Sequence, residues 1–192
     1  MPNDWRCDTV VFGYDQVPAR HMTVVTNTGE ETLGGKRNAA VKCARANNYD
    51  LIAFLDGDDL FGPSWIPGLC AEYDRDRYSE MSEDRIYHPQ WSILFDPTKY
   101  VIREHIGQID PRFDSRDMMF YNPWSALCAF NPLSAKWKYR EHKKTDKKFS
   151  FEDWSFNLDT WCDGQVHVVV PDTYHFLRMR MNSLGKSTIH NT

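Results

Sequence analysis

The stretch Leu51-Ile-Ala-Phe-Leu-Asp-Gly-Asp-Asp59 decides how the rest of the chain is read. Five apolar residues, Leu51 to Leu55, end abruptly in three carboxylates, Asp56, Asp58 and Asp59. A short, unbroken apolar run is what a strand buried on both faces requires, because neither face meets water. Asp56 and Asp58 are two residues apart, so continued extension points both side chains the same way. Gly57 between them permits a sharp turn and the close approach of a ligand. Two readings stand here. These are the residues of a polar turn closing a core strand. They are also those of a site where a hard divalent cation relieves repulsion between crowded carboxylates.

Upstream, Thr9–Phe12 and Met22–Thr26 are short β-branched runs closed by Gly13-Tyr14-Asp15 and Asn27-Thr-Gly29, and read as strands. From Lys36 to Asn47 the period becomes helical, with Ala39, Ala40, Cys43 and Ala44 on one side. Strand, strand, helix, strand is the alternation of an α/β sheet, and the expectation is a mixed, mostly parallel, Rossmann-related sheet flanked by helices. Downstream, Ser64 is placed to cap a helix over Trp65–Tyr73. Arg85–His88 and Trp91–Phe95 read as strands separated by Pro89, followed by Ser125–Phe130 and by Gln165–Val170, stopped at Pro171. A helix follows Phe151-Glu-Asp-Trp154, with Trp154, Leu158 and Trp161 on one face and Asp153 or Ser155 as its cap. The tail Tyr174–Asn182 precedes polar residues expected to fray.

The 192 residues fit one domain, with a first half over about 9–60 and a second over about 85–185. A net charge of −4 argues against a dedicated nucleic-acid binder. Five widely spaced cysteines include no C-x-x-C pair, so neither a zinc knuckle nor a disulfide framework is indicated, which suits a reducing compartment. No long apolar run or charged-then-apolar leader is present, so a soluble, cytoplasmic protein without a membrane span is expected. The basic stretch Lys136–Lys148 reads either as a surface loop or as an electrostatic guide for an anionic substrate. There is no G-x-x-x-x-G-K-[ST] loop, G-x-G-x-x-G, H-E-x-x-H or G-x-S-x-G elbow.

What remains is an ordered set: Asn27-Thr-Gly29, Arg37-Asn38-Ala39, Phe54-Leu-Asp-Gly-Asp-Asp59 and Phe151-Glu-Asp-Trp154. In order and spacing it resembles the family 2 glycosyltransferases, which have the GT-A nucleotide-sugar fold, and the resemblance covers about residues 9–185. It implies that Asp56 and Asp58 are a D-x-D pair holding the donor ribose and a Mn²⁺ or Mg²⁺ on the diphosphate. Asp59 would orient the pair, and Arg37, assisted by Lys36, would touch the nucleotide. Asp153 corresponds to the base that deprotonates an acceptor hydroxyl, with Glu152 orienting it or binding acceptor, and the sugar is transferred with inversion. The E-D pair alone reads first as a helix cap, and it is the company of the D-x-D element that favours the base. Trp124 and Trp154 are candidates to line the acceptor cleft, or core residues.

The resemblance further implies a C-terminal histidine on the metal, for which His175 is the candidate, or a direct diphosphate contact from Arg180 or Arg178. The Q-x-x-R-W motif of processive members is absent, so single-sugar transfer is expected. Only eight residues precede Thr9, where the family has a further strand and helix. Either the form is shortened or Thr9–Asp15 does that work, with Tyr14 stacking on the base and Asp15 accepting from its edge. The implied partners are a nucleotide-diphosphate sugar, a UDP-sugar by family frequency, and a hydroxyl acceptor on a glycan, lipid or protein. A nucleotidyltransferase or sugar-phosphate pyrophosphorylase shares the acidic sheet end, but the glycine-rich basic loop of those enzymes is not found. A non-catalytic nucleotide-sugar-binding module is the third reading.

Overall fold

The structure is a computed structural model that describes residues 9–13, 21–25, 32–79, 85–141 and 151–179. The chain forms, in order, β1 (Thr9–Gly13), β2 (His21–Val25), α1 (Leu33–Ala46), β3 (Ile52–Ala53), β4 (Leu60–Phe61), α2 (Trp65–Tyr78), β5 (Arg85–Phe95), β6 (Tyr100–Glu104), β7 (Ala129–Phe130), α3 (Glu152–Cys162) and β8 (Val166–Arg178). One 3₁₀ turn, Ser115–Met119, lies between β6 and β7. β1 and β2 form an antiparallel pair, with β1 lying against β3 and α1. The main sheet has the order β3-β7-β5-β8-β4, and β6 adds to β5.

The apolar run that opened the reading behaves as its composition requires. Leu51 and Ala53 face one core with Trp65, Leu69 and Tyr73 of α2. Ile52 and Phe54 face another with Ala40, Val41 and Ala44 of α1 and Phe156 of α3. Alternate side chains of one strand thus enter separate cores, which is why the run has no polar side. α1 and α3 cover one face of the sheet and α2 the other.

The expectation of a mostly parallel sheet is corrected. Among the described residues only β5 and β8 run parallel, and β3–β7, β5–β7, β5–β6 and β4–β8 are antiparallel. β6 follows β5 through a tight turn in which Asp96 Oδ1 accepts from the backbone of Thr98 and Lys99, and so short a connection can only join antiparallel neighbours. Of Ser125–Phe130 only the last two residues join the ladder, inserted between β3 and β5.

Proline does not divide the central strands as expected. β5 continues through Pro89 and β8 through Pro171 because both lie at an irregularity in the ladder. Pro89 pairs with Val170 but Trp91 with Tyr174, so β8 carries two more residues than β5 across this point. Asp172 takes φ 57° there. Gln90 closes the bulge: its N–H donates to Thr173 Oγ1 (3.0 Å) and its Oε1 accepts from Asp172 N (2.8 Å). Bulges of this sort absorb residues that cannot donate to a ladder.

Helix readings shift too. α1 begins three residues before Lys36, since Thr32 caps it by accepting from Gly35 N (3.0 Å). α2 runs past Tyr73, and Ser64 bonds Asp172 O instead of capping it. The inward face of α3 is Glu152, Phe156, Asn157 and Thr160, not the Trp154–Leu158–Trp161 stripe, because each of those polar side chains has a buried partner. Among the described residues no helix is long and apolar enough to cross a membrane.

The sheet's interior also holds four wholly buried or nearly buried histidines, His88, His105, His167 and His175. Thr160 donates to the carbonyls of Phe156 and Asn157, so its oxygen is left to accept from His167 Nε2 (3.1 Å). His167 Nδ1 then accepts from His88 Nε2 at 2.9 Å. His105 donates from Nδ1 to Pro123 O and accepts from Ser92 at Nε2 (2.7 Å). All of these roles need neutral rings. Burial pushes His105 down to about 4 and His167 and His175 down to about 3, with His88 well below its ordinary value. Below pH 6.5 the unfolded chain takes up protons that the fold refuses. Stability is therefore complete above that pH and falls as pH drops toward 4, by about 1.4 kcal/mol per pH unit for each such histidine. The urea midpoint is expected to fall steadily from pH 7 to pH 5, and a midpoint constant across that range would contradict this account.

Candidate active site

Gly34 lets the first turn of α1 lie flush against the chain at Arg140, since a Cβ there would sit 2.1 Å from the Arg140 carbonyl oxygen. One turn on, Asn38 holds the same segment at both ends of one residue. Its Nδ2 donates to Tyr139 O (2.9 Å) and its Oδ1 accepts from Tyr139 N (2.8 Å). The ring of Tyr139 is thereby brought over Arg37, whose guanidinium lies 5.3 Å from it and 5.9 Å from the Phe54 ring. Between these rings Arg37 is 1% exposed.

A buried guanidinium needs anionic partners, and two are present. Arg37 Nη2 donates to Asp56 Oδ1 (3.2 Å) and Nη1 to Glu152 Oε1 (3.1 Å). Burial alone would lower its affinity for the proton, but Asp56 and then Glu152 outweigh that and hold it above its ordinary value. Burial raises the Glu152 carboxyl, while Arg37 opposes the shift. Arg37 was expected to touch a nucleotide; in the fold its two outer nitrogens meet Asp56, which is partly exposed, and the buried Glu152. Lys36 sits half-buried in the preceding position on α1.

The acidic stretch is both a turn and a carboxylate cluster. Asp59 N donates to Asp56 O (3.0 Å), closing the turn, and Asp59 Oδ1 accepts from Arg178 N (2.8 Å), tying it to the end of β8. Beside it opens a cleft of about 380 Å³ lined by Asp58, Asp59, Leu60, Phe95, Asp96 and Arg178. Asp58 faces this space, and Asp56, whose side chain is 31% exposed, bonds Arg37 through Oδ1 alone. Hard carboxylate oxygens of this kind fit Mg²⁺ or Mn²⁺, which take one or two carboxylates and complete their shell with water and substrate phosphates. Among the described residues no group of three His, Cys, Asp or Glu is close enough to hold a metal ion. His175 is not gathered with Asp56 and Asp58: it is fully buried, 5.0 Å from the Phe61 ring and 4.8 Å from that of Trp65.

At the start of α3 neither acidic side chain caps the helix. Glu152 turns to Arg37, and Asp153 Oδ2 accepts from Asn122 Nδ2 at 3.0 Å. Asn122 was not distinguished in the sequence. It stands in an irregular stretch, and only the Asn-Pro pair marks a turn there. Its carbonyl accepts from Arg103 of β6, and the adjoining Pro123 carbonyl accepts from His105. Trp124 belongs to the core and not to a cleft: it stacks on His167 at 3.9 Å and donates to Ile106 O. Trp154 is half-buried and donates to Met118 O (3.0 Å).

The basic stretch is described up to Glu141. Lys136 pairs with Asp163 (2.7 Å) and Arg140 with Asp159 (2.8 Å), so these two charges bind the segment to α3 and its end. Tyr14, Asp15, Arg180 and Lys143 onward to Lys148 lie outside the described residues.

A family model described as Glycosyl transferase family 2 matches residues 14–157. Comparison with curated proteins found no match. The match spans Arg37 and both acidic stretches that follow it.

Removing the guanidinium tests the tie. Arg37→Met leaves Glu152 buried without its cation, and a loss of about 3–5 kcal/mol in unfolding free energy is expected. Arg37→Lys keeps the charge without the fork and should fall between. Urea unfolding reads both, and a Met variant as stable as the parent would remove the argument.

Proposed function

The chain belongs to glycosyltransferase family 2, and from that membership and the geometry we propose that it transfers one sugar from a nucleoside-diphosphate donor to a hydroxyl acceptor, with metal dependence and inversion. One observation carries the reading. Asp56, from the D-x-D stretch, and Glu152, neighbour of Asp153, share one buried guanidinium, so the donor end and the base end belong to a single site.

Asp58 and Asp56 would hold the Mn²⁺ or Mg²⁺, which supplies charge neutralisation for the departing diphosphate. Arg178, lining the same cleft, offers a further cation toward the phosphates. Asp153 takes the proton of the acceptor hydroxyl. The freed oxygen pair forms the new bond to the anomeric carbon as the carbon–oxygen bond to the diphosphate breaks, with the electron pair leaving on phosphate. Attack and departure on opposite faces invert that carbon. Arg37 and Glu152 hold the first turn of α3 at a set distance from the D-x-D turn, and so act as positioning residues. Met119 and Phe120, which are 76% and 77% exposed, present apolar surface close in sequence to Asn122 and suit an acceptor approaching Asp153. A UDP-sugar is the donor favoured by family frequency.

Asp153→Asn should lower nucleotide-sugar turnover by about 10²–10⁴-fold while leaving Mn²⁺-dependent donor binding intact. Asp58→Asn should instead lose the metal dependence of binding. Calorimetry with UDP, GDP and their sugars, with and without Mn²⁺, followed by donor hydrolysis assays, separates the two. The complete absence of metal-dependent nucleotide binding would overturn the proposal.

A further inference from the structure

We propose that Asn122 is a positioning residue for the general base, selecting which oxygen of Asp153 takes the acceptor proton; this rests on the reading of Asp153 as that base. The amide's orientation follows from its partners. Its Oδ1 accepts from Asn157 Nδ2 at 2.9 Å, and the Trp124 backbone N–H also points to it at 3.4 Å. A carbonyl-type oxygen facing two donors cannot be exchanged for an NH₂ group, so Nδ2 is the end turned toward Asp153. Asn157 itself is 1% exposed on the inward face of α3, one turn after Asp153, and is locked by that burial.

The donated hydrogen bond takes up one lone pair of Asp153 Oδ2 and fixes the plane of the carboxylate, which makes Oδ1 the more open oxygen for the acceptor proton. The backbone around Asn122 is fixed independently by Arg103 on its own carbonyl and by His105 on the next, so the amide is held from both ends. Asn122 touches neither donor nor acceptor in this role and acts only through Asp153.

The test is the pH dependence of UDP-glucose, UDP-N-acetylglucosamine and GDP-mannose hydrolysis with Mn²⁺, in the full chain and in Asn122→Asp, Asn122→Ala and Asp153→Asn. Asn122→Asp is nearly isosteric and keeps the Asn157 bond, yet sets a second carboxylate against Asp153. Two carboxylates in contact share a proton, so the acid limb of kcat should move up by a pH unit or more. Activity should be at least tenfold down at pH 6 and largely recovered at pH 8.5. Asn122→Ala should lower kcat with the donor KM unchanged. A purely structural role would lower activity equally at every pH, and that outcome, with the urea midpoint preserved, overturns the proposal while leaving the base in place. Full activity in Asp153→Asn would overturn the base reading itself. No hydrolysis of any donor by the parent chain would overturn both.

Discussion

The arrangement depends on one buried guanidinium held between two carboxylates from distant parts of the chain. Arginine suits this place because its planar fork presents separate N–H groups to separate acceptors, and because its flat faces lie against aromatic rings without losing much hydration. Lysine is a point charge and could not span Asp56 and Glu152 at once. In a low-dielectric setting each partner needs the others: two carboxylates alone would repel, and the cation alone would be stranded. The donor turn and the start of α3 therefore sit at a separation set by the length of the Arg37 fork.

Around that tie the fold uses polar side chains in places usually filled by hydrocarbon. Gln90 and Thr173 close the irregularity in the central ladder, Asn38 clamps Tyr139, and Asn157 steadies Asn122. The offset between β5 and β8 amounts to two residues, and an even offset keeps every side chain on its original face. His88 and His167, both ahead of the irregularity, stack beside Trp124. The sheet can accept two prolines in its central pair without turning its core inside out.

Much of this was legible in the chain itself where the signal is local. Leu51–Phe54 read correctly as doubly buried because each successive residue meets a different core. The family resemblance rested on short motifs in a fixed order, and the family match spans them. What was not legible depends on partners far along the sequence. Pro89 and Pro171 look like breaks until each is seen beside the other strand's irregularity. The inward face of α3 was misassigned because Glu152, Asn157 and Thr160 look solvent-facing until Arg37, Asn122 and His167 are set against them. Nothing near position 37 announces Glu152 as a partner of Arg37. Asn122 carries no local mark beyond the Asn-Pro turn signal.

The distance along the chain between Arg37 and Glu152, 115 residues, has a kinetic meaning. Closing so long a loop is entropically costly, and the parallel pairing of β5 with β8 is similarly remote in sequence. During synthesis, α1 and the D-x-D turn leave the ribosome well before α3 exists. Until α3 arrives, Arg37 has Asp56 but not Glu152, and the rings of Phe130 and Tyr139 lack the cover of Phe156. The core on this face of the sheet and the tie through Arg37 are therefore completed by the same late segment.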